Sequence, residues 1–191
     1  MIGKKNIVFG FLYLVLTAAL GPVMILQYMP AVGTAEAQKQ ERLGFLQTAS
    51  ADNFEVNLEP MQPVDIAKAN TAGLLALSNR LNRQAPIDDI KGGPHAHGNL
   101  EALLNIAVGI VLLFIAVPRA FKQTISWIFI AGTLFHSGLL YLAVGLGLPW
   151  AGALLGTLVG YIGPILILLG LALAGVAAAL GWRGEIVRDP V

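Results

Sequence analysis

The sequence predicts an all-α integral membrane protein, a bundle of four transmembrane helices with a helical extracytoplasmic cap between the first two spans. Of the 191 residues, 56% are hydrophobic and only 12% are charged, and the mean hydropathy is +0.72. Soluble domains carry about 25% charged residues, so this composition excludes a soluble enzyme. Four long runs contain little or no charge, and roughly 20 apolar residues are enough to cross the hydrocarbon core of a bilayer.

The first span is predicted over residues 7–29, directly after Lys4 and Lys5. Its uncharged stretch is longer than the roughly 7–15 apolar residues of a secretory signal peptide, which favours a retained anchor over a cleaved leader. Gly21-Pro22 lies inside this stretch, and proline removes a backbone donor, so we expect a kink there. Residues 1–29 are therefore assigned to transmembrane helix 1.

Residues 30–96 are mostly polar and are predicted to form the extracytoplasmic cap. Short helices are expected over residues 35–46 and 65–83, with Pro86 just beyond the second, because apolar residues recur there at helical spacing. Residues 88–94 are rich in Asp, Gly and Pro and predict a turn-rich linker that leads into the second span.

The remaining spans are predicted over residues 98–118, 124–147 and 151–181. Residues 97–181 thus contain transmembrane helices 2–4, and residues 182–191 form a tail. The joints between these spans are short.

The fourth span carries glycine at every fourth position, Gly152, Gly156 and Gly160, followed by Gly163-Pro164. A row of small residues lets another helix approach closely. The partner can be another helix of the same bundle, a second copy of the chain or another subunit of a membrane complex, and the sequence leaves this open. Gly163-Pro164 predicts a kink in a span that is longer than a bilayer requires.

The basic residues around the spans predict the orientation of the chain. In a four-span layout, six of them fall on the same side: Lys4, Lys5, Arg119, Lys122, Arg183 and Arg188. The positive-inside rule assigns that side to the cytoplasm. We therefore expect a multi-pass protein of the plasma membrane or a bacterial inner membrane, with both termini cytoplasmic.

Composition also limits the chemistry. The chain has no cysteine, which excludes disulfides, thiolate metal sites, iron–sulfur clusters and cysteine nucleophiles. A formal net charge of +1 gives no clustered basic surface, so nucleic acid is excluded as a partner. Histidine, carboxylate, tyrosine and asparagine remain as candidates.

Polar residues are concentrated where the second span begins. His95 and His97 lie at its extracytoplasmic mouth, and His97, Glu101 and Asn105 are spaced i, i+4 and i+8, so they form one polar stripe on a helix. Ionisable residues at depth in a membrane usually pair, face the bundle interior or mark a site. The alternative is that His95, His97 and Glu101 only cap the helix start, where a carboxylate is favoured by the helix dipole.

The third span carries His136 near mid-membrane, followed by Tyr141 nearer the outside. At 1.5 Å per residue, Asn105 and His136 reach similar depths, so we expect them to meet, either as an interhelical hydrogen bond or as part of a site. The same arithmetic places His97 and His136 at depths too different to hold one iron between them. His95 and His97 could instead bind copper or zinc together, since imidazole suits both metals.

Two short motifs carry a resemblance to a known family. Ala96-His97 opens the second span, Asn105 follows within it, and Leu139-Leu140-Tyr141-Leu142 lies late in the third. These features resemble the styrene oxide isomerases, small four-span membrane proteins that bind haem b. The string His95-Ala96-His97-Gly98-Asn99 is also similar to a haem-ligand motif of haem–copper oxidases and nitric-oxide-related membrane proteins.

The resemblance implies haem b held by His97, with an open axial position at which ferric iron acts as a Lewis acid on the oxygen of a small apolar epoxide. Tyr141 would orient the substrate. Thr133 stands where the family has a catalytic aspartate, so Glu101 or Asn105 would have to assist ring opening. His95 and His136 are further candidate cofactor ligands.

Two other functions fit the same residues. The protein could be a haem b electron-transfer or accessory subunit of a respiratory or oxygenase complex, with both axial positions of the iron filled. It could also handle copper or zinc through His95 and His97, or act as a scaffold that binds no metal.

Overall fold

The computed structural model describes residues 1–187, and this part of the chain is predominantly helical. The all-α class is confirmed. In chain order the α-helices are α1 Gly3–Ala18, α2 Leu20–Gln27, α3 Met29–Ala51, α4 Pro63–Ile90, α5 Ala96–Val111, α6 Arg119–Thr133, α7 Pro149–Leu155 and α8 Val159–Gly181. Three π-helical turns accompany them, at Lys91–His95, Leu134–Gly138 and Tyr141–Gly145.

The chain divides into two compact units. One comprises Met1–Gly21 together with the chain from Asp89 onward, and the other comprises Pro22–Asp88. The second unit contains most of the segment predicted as the cap. Arg188, one of the residues used to predict orientation, and the end of the predicted tail lie outside the described residues.

Three helical stretches within residues 1–187 are long and apolar enough to cross a membrane: Gly3–Gln27, Arg119–Gly145 and Val159–Gly181. They coincide with the first, third and fourth predicted spans, so the protein is membrane-embedded. The second predicted span forms α5, whose 16 residues extend about 24 Å and fall short of the roughly 30 Å hydrocarbon core. The helix of the third predicted span starts earlier than predicted, because α6 begins at Arg119 and buries Lys122 in its second turn.

The break in the first span lies where proline chemistry places it. The α-helix is interrupted at Ala19, and Pro22 lies in the first turn of α2. A residue at position 22 would normally donate its N–H to the carbonyl of Ala18, and proline cannot. In the first turn of a new helix that missing donor carries no penalty, because first-turn N–H groups have no intrahelical acceptor.

The fourth predicted span is not one continuous helix. It consists of α7 and α8, separated at residues 156–158, whereas Pro164 lies inside α8. The hydroxyl of Thr157 donates to the carbonyl of Leu154 at 2.7 Å and accepts the N–H of Val159 at 3.2 Å. These local bonds replace the helical ladder at the break.

In the Pro22–Asp88 unit, the helices are longer than predicted. The expectation that the second one ends before Pro86 is wrong, since Pro86 lies inside α4. The prediction of a turn-rich linker is also wrong, because residues 88–94 are helical apart from Gly93. The chain bends at Gly93, whose φ of −93° and ψ of −107° are not helical.

A two-residue β-hairpin, which the sequence reading missed, joins α3 and α4. Strand β1, Glu55–Val56, pairs antiparallel with β2, Glu59–Pro60. Asn57 and Leu58 form the turn between them, both with positive φ, as the favoured hairpin turn requires. Asparagine tolerates this conformation, but leucine rarely adopts it.

The carboxylate of Glu36 connects α3 to α4. It lies 2.5 Å from the ammonium of Lys39, accepts from Gln40 at 2.9 Å and accepts from Arg80 of α4 at 3.0 Å. These hydrogen bonds to the charged form, from Lys39 first, lower the pKa of Glu36 to about 2.

In the unit that comprises Met1–Gly21 and the chain from Asp89 onward, the apolar core lies between α5, α6 and α8. Its buried members are Val108, Leu112, Ile115, Ile125, Phe129, Ile167, Ala174 and Ala177. Residues 182–187 run back over the joint between α5 and α6, where Arg183 and Val187 donate backbone bonds to Phe114 and Leu113, both at 2.8 Å. The Trp182 ring stacks on Phe114 at 5.8 Å.

Helix α1 packs against α5 through glycines. A Cβ atom at Gly10 would lie 2.6 Å from the carbonyl oxygen of Ala102, and one at Gly109 would lie 2.7 Å from the side chain of Ile7. Only glycine allows the two backbones to come this close. The predicted glycine face of the fourth span behaves differently, because a Cβ at Gly152 would have no neighbour within 4 Å.

Candidate metal centre

Buried polar side chains form a seam between α1, α5 and α6. Seven that lie along it are at most 3% exposed: Asn6, Thr17, Glu101, Asn105, Ser126, Thr133 and Ser137. Polar groups in an apolar interior are costly unless they are hydrogen-bonded, and every buried side-chain nitrogen and oxygen in the described chain has a partner. The seam thus fixes the rotation of the three helices relative to one another.

At one position along the seam, two imidazoles and one carboxylate converge. The ligand atoms of His97, Glu101 and His136 all lie within 4.8 Å of one another. The rings of His97 and His136 meet edge to face, with centroids 4.8 Å apart and an interplanar angle of 63°. Nδ1 of His136 lies 2.5 Å from Oε1 of Glu101. Glu101 is only 3% exposed, whereas His97 is exposed on the surface of α5.

Local backbone features place these three side chains. His97 and Glu101 share a face of α5 because they are four residues apart. His136 belongs to the π-helical turn Leu134–Gly138, a kind of irregularity that is frequent at functional sites. Helix α8 packs directly on this turn, since a Cβ atom at Gly163 would lie 2.6 Å from Cβ of His136.

The second oxygen of Glu101 is held by hydroxyl groups. Ser137 donates to Oε2 of Glu101 at 2.6 Å, and the Tyr13 hydroxyl lies 3.0 Å from the same serine oxygen. A carboxylate can only accept, so the serine proton points to Glu101 and the tyrosine donates to the serine. A hydrogen-bonded chain therefore runs from Tyr13 of α1 to the carboxylate of α5.

Asn105 lies one turn further along α5, in a layer of its own. Its amide donates to Thr133 at 2.8 Å and to the carbonyl of Glu101 at 3.0 Å, and its oxygen accepts from Asn6 at 3.0 Å. Asn6 also donates to the carbonyl of Ser126 at 3.1 Å and accepts from its hydroxyl. The amides of Asn105 and Asn6 thus connect three helices.

Two expectations about depth are therefore wrong. Asn105 meets Thr133, and it is Glu101 that meets His136. His97 and His136 lie side by side, although their predicted depths kept them apart. The reason is the start of α5: the chain is already helical before His97, so depth counted from a helix mouth at Gly98 used the wrong origin.

His95 does not join this group. Its Nδ1 lies 3.0 Å from the carbonyl oxygen of Thr17 on α1. Residues two apart on a helix point in directions about 200° apart, so His95 and His97 face opposite sides. The structure therefore does not bring His95 and His97 together as the alternative copper or zinc site would require.

Tyr141 lines a separate apolar cavity of about 390 Å³. The other lining residues are Tyr13, Leu16, Leu134, Gly138 and Leu142. Tyr13 is common to this cavity and to the hydrogen-bonded chain that ends at Glu101. The cavity and the three converging ligands are therefore neighbours, connected through Tyr13.

Sequence reasoning missed the residues that α1 contributes. The buried face of α1 comprises Gly3, Asn6, Gly10, Tyr13 and Thr17. These are the small and polar residues of an otherwise apolar span, and they recur at intervals of three or four. Their spacing predicts one face turned toward other helices, so the signal was present in the sequence.

No protein-family model, curated protein or solved structure matches this chain.

Two imidazoles and one carboxylate are a donor set that suits zinc, iron, copper and other first-row transition metals. Zinc lies about 2.0–2.2 Å from such nitrogen and oxygen atoms, so the ligand atoms of one tetrahedral ion are about 3.4 Å apart. The ligand atoms of His97, Glu101 and His136 lie within 4.8 Å of one another. Side-chain shifts of about 1 Å would bring them to the tetrahedral spacing. Ser137 and Tyr13 would then orient the carboxylate from outside the ligand shell.

Proposed function

We propose that this protein is an integral membrane metalloprotein that binds one divalent first-row transition-metal ion through His97, Glu101 and His136. The observation that carries the proposal is the convergence of two imidazoles and one buried carboxylate within 4.8 Å. Three protein ligands leave coordination positions open, an arrangement typical of catalytic rather than structural metal sites.

A purely structural ion pair accounts for less of this geometry. Glu101 and His136 could satisfy each other without a third partner. His97 adds a further imidazole at the same point, with its ring edge-on to that of His136. Two imidazoles and a carboxylate that converge at one point of an apolar bundle favour a shared cation.

The site's position supports a membrane-embedded centre. We place α5 as the fourth membrane helix, because its exposed side chains other than His97 are apolar, among them Leu100, Leu103 and Ile110. A short helix can be accommodated by local thinning of the bilayer. With the lysines of the α1 start on the cytoplasmic side, the Pro22–Asp88 unit would be extracytoplasmic and both termini cytoplasmic.

A bound ion would supply Lewis-acid chemistry at its open positions. Ser137 holds Oε2 of Glu101 and so fixes the carboxylate. Tyr13 closes the hydrogen-bonded chain on the side of the 390 Å³ cavity, whose apolar lining would admit a small apolar substrate and exclude water.

Metal analysis of the full chain in mild detergent tests the proposal. We expect about one equivalent of zinc, iron, copper or manganese per chain, and loss of most of it in His97→Ala, His136→Ala and Glu101→Gln. His95→Ala is the matched control, because this histidine contacts α1 instead of the three ligands. Absence of bound metal after reconstitution, or equal metal content in all variants, would overturn the proposal.

A second candidate, haem b at His97, rests on the resemblance to styrene oxide isomerases and on the exposure of His97. Ferric haem, when bound, would supply a Lewis acid for an epoxide oxygen, with Tyr141 orienting the substrate. Of the two residues expected to assist ring opening, Glu101 is the one whose carboxylate lies within 4.8 Å of the His97 ring nitrogens, whereas Asn105 is bonded to Thr133 and Asn6.

The geometry fits one axial histidine better than two. Opposite axial nitrogens each lie about 2 Å from the metal and the rings extend away from it, so ring centroids would be farther apart than the observed 4.8 Å. This spacing disfavours His97 and His136 as the two ligands of an electron-transfer haem.

Oxidised and reduced absorption spectra separate these candidates. Haem bands that are lost in His97→Ala and kept in His95→Ala would support haem, and shifts on adding cyanide would indicate an open axial position. Conversion of styrene oxide that falls in Tyr141→Phe at unchanged haem content would support the isomerase. A protein with neither haem nor metal would be a scaffold, in which the polar seam serves only to join helices.

A further inference from the structure

A groove of about 580 Å³ lies at the start of α1, far along the helix from the candidate metal centre. Its lining comes from the N-terminal Met1, from α1 and from α6: Met1, Lys4, Lys5, Val8, Phe9, Trp127 and Ile130. The groove therefore begins at two lysines and continues along apolar side chains.

The charged end of the groove is held in place by aromatic and amide groups. Nζ of Lys5 lies 4.0 Å from the centroid of the Trp127 ring and 2.5 Å from Oε1 of Gln123. Lys4 is exposed beside it. Within residues 1–187, the identified ion pairs include neither lysine. Two adjacent positive charges are thus directed toward one end of the groove, with no acidic side chain of the described chain neutralising them.

The remaining wall is apolar. Val8 and Trp127 are 47% and 59% exposed, and Phe9 and Ile130 complete the surface. Because α1 begins one of the membrane-spanning stretches, Val8 and Phe9 lie farther into the hydrocarbon region than the two lysines. Tryptophan is itself enriched at the level of lipid headgroups.

We propose that this groove binds an anionic phospholipid, with the phosphate at Lys4 and Lys5 and an acyl chain along Val8 and Phe9. Charge complementarity selects the headgroup, since positive pockets between membrane helices bind acidic lipids. The apolar wall selects a lipid over a soluble anion. A free phosphate has no apolar part that could cover Val8 and Trp127, whereas an acyl chain does. This inference is independent of the metal centre.

Quenching of Trp127 fluorescence tests the site directly. In a Trp150→Phe, Trp182→Phe chain, Trp127 is the remaining tryptophan. Reconstituted with equal mole fractions of brominated lipid, this chain should be quenched at least twofold more by phosphatidylglycerol than by phosphatidylcholine. Each lysine near a surface is worth roughly five-fold in affinity for an acidic lipid, so Lys4→Gln with Lys5→Gln should equalise the two lipids.

Lys68→Gln, on exposed α4, is the matched control and should leave the preference unchanged. Unaltered circular dichroism shows that each variant is folded. Equal quenching by both lipids in the parent chain would overturn the proposal, and so would a preference that survives loss of both lysines. A preference abolished by millimolar glycerol phosphate would assign the site to a soluble anion and overturn the lipid assignment.

Discussion

Glu101 and His136 lie 35 positions apart in the chain, yet Oε1 of the first is 2.5 Å from Nδ1 of the second. The contact joins α5 to the π-helical turn after α6. Beside this contact, Gly10 lets α1 approach the backbone of Ala102 and Gly163 lets α8 approach His136. Glycine thus permits close packing next to both partners of the contact.

Ser137→Ala should weaken metal binding by 10–100-fold without abolishing it. The serine holds Oε2 of Glu101 and is not itself a ligand, and loss of such outer partners typically has an effect of about this size. Competition with a chromophoric chelator measures the affinity. Thr124→Val, which removes an exposed hydroxyl from α6, should bind like the parent. Equal affinity of Ser137→Ala and the parent would remove the serine from this role.

Asn105→Ala should destabilise the fold by about 1–3 kcal/mol and leave metal content unchanged. The substitution leaves Asn6 without one of its partners in a buried layer, and an unsatisfied buried group has roughly this cost. Thermal unfolding in detergent measures the loss, with Asn79→Ala on exposed α4 as the control. If metal is lost at unchanged stability, Asn105 belongs to the site after all.

Gly10→Ala should lower the thermal stability by an amount typical of an overpacked contact, about 1–3 kcal/mol. The new methyl group would meet the Ala102 carbonyl at 2.6 Å, so α1 has to move away from α5. Gly175→Ala on α8 serves as the control, because a Cβ there has no neighbour within 4 Å. A destabilisation no larger than that of the control would contradict the close approach of α1 and α5.

Protonation of Glu36 should loosen the connection between α3 and α4 in acid. Its pKa is lowered from an ordinary value near 4.5 to about 2 in the folded chain. At pH values above 4.5 the ionised carboxylate therefore stabilises the folded state. That contribution decreases as the pH falls from 4.5 toward 2. The difference in unfolding temperature between the parent and Glu36→Gln should therefore shrink over this range.

Glu41→Gln is the control for the acid experiment, since Glu41 is exposed and pairs at 3.6 Å with its neighbour Arg42. It should unfold like the parent at every pH. A pH-independent difference for Glu36→Gln would show that the carboxylate does not titrate with a lowered pKa.

The sequence supports the prediction of membrane helices well, and of contacts between them poorly. Long apolar runs fix α1 and α8, because hydrocarbon leaves few alternatives to a helix. The identity of the ligands was also available, since His97, Glu101 and His136 are ionisable residues within apolar segments. Which of them meet depends on how far each helix is shifted along its axis relative to its neighbours. Close glycine contacts between helices limit that shift.

Other features depend on local bonds that composition does not reveal. The break between α7 and α8 follows from the Thr157 hydroxyl, and glycine spacing alone suggested one continuous helix. In the Pro22–Asp88 unit, proline predicts the end of a helix, although Pro86 lies within α4. The hydroxyls of Tyr13 and Ser137 meet through the packing of α1 against the turn Leu134–Gly138, which residue spacing within one helix does not reveal.

The run of residues 182–187 over the α5–α6 joint has a practical consequence for handling the protein. A chain cut after Gly181 would lose the donors that Arg183 and Val187 provide to the Phe114 and Leu113 carbonyls, together with the Trp182 ring on Phe114. An affinity tag for purification therefore belongs beyond these residues. A nested series of C-terminal deletions should yield soluble detergent extracts until the cut enters this run, and aggregates thereafter.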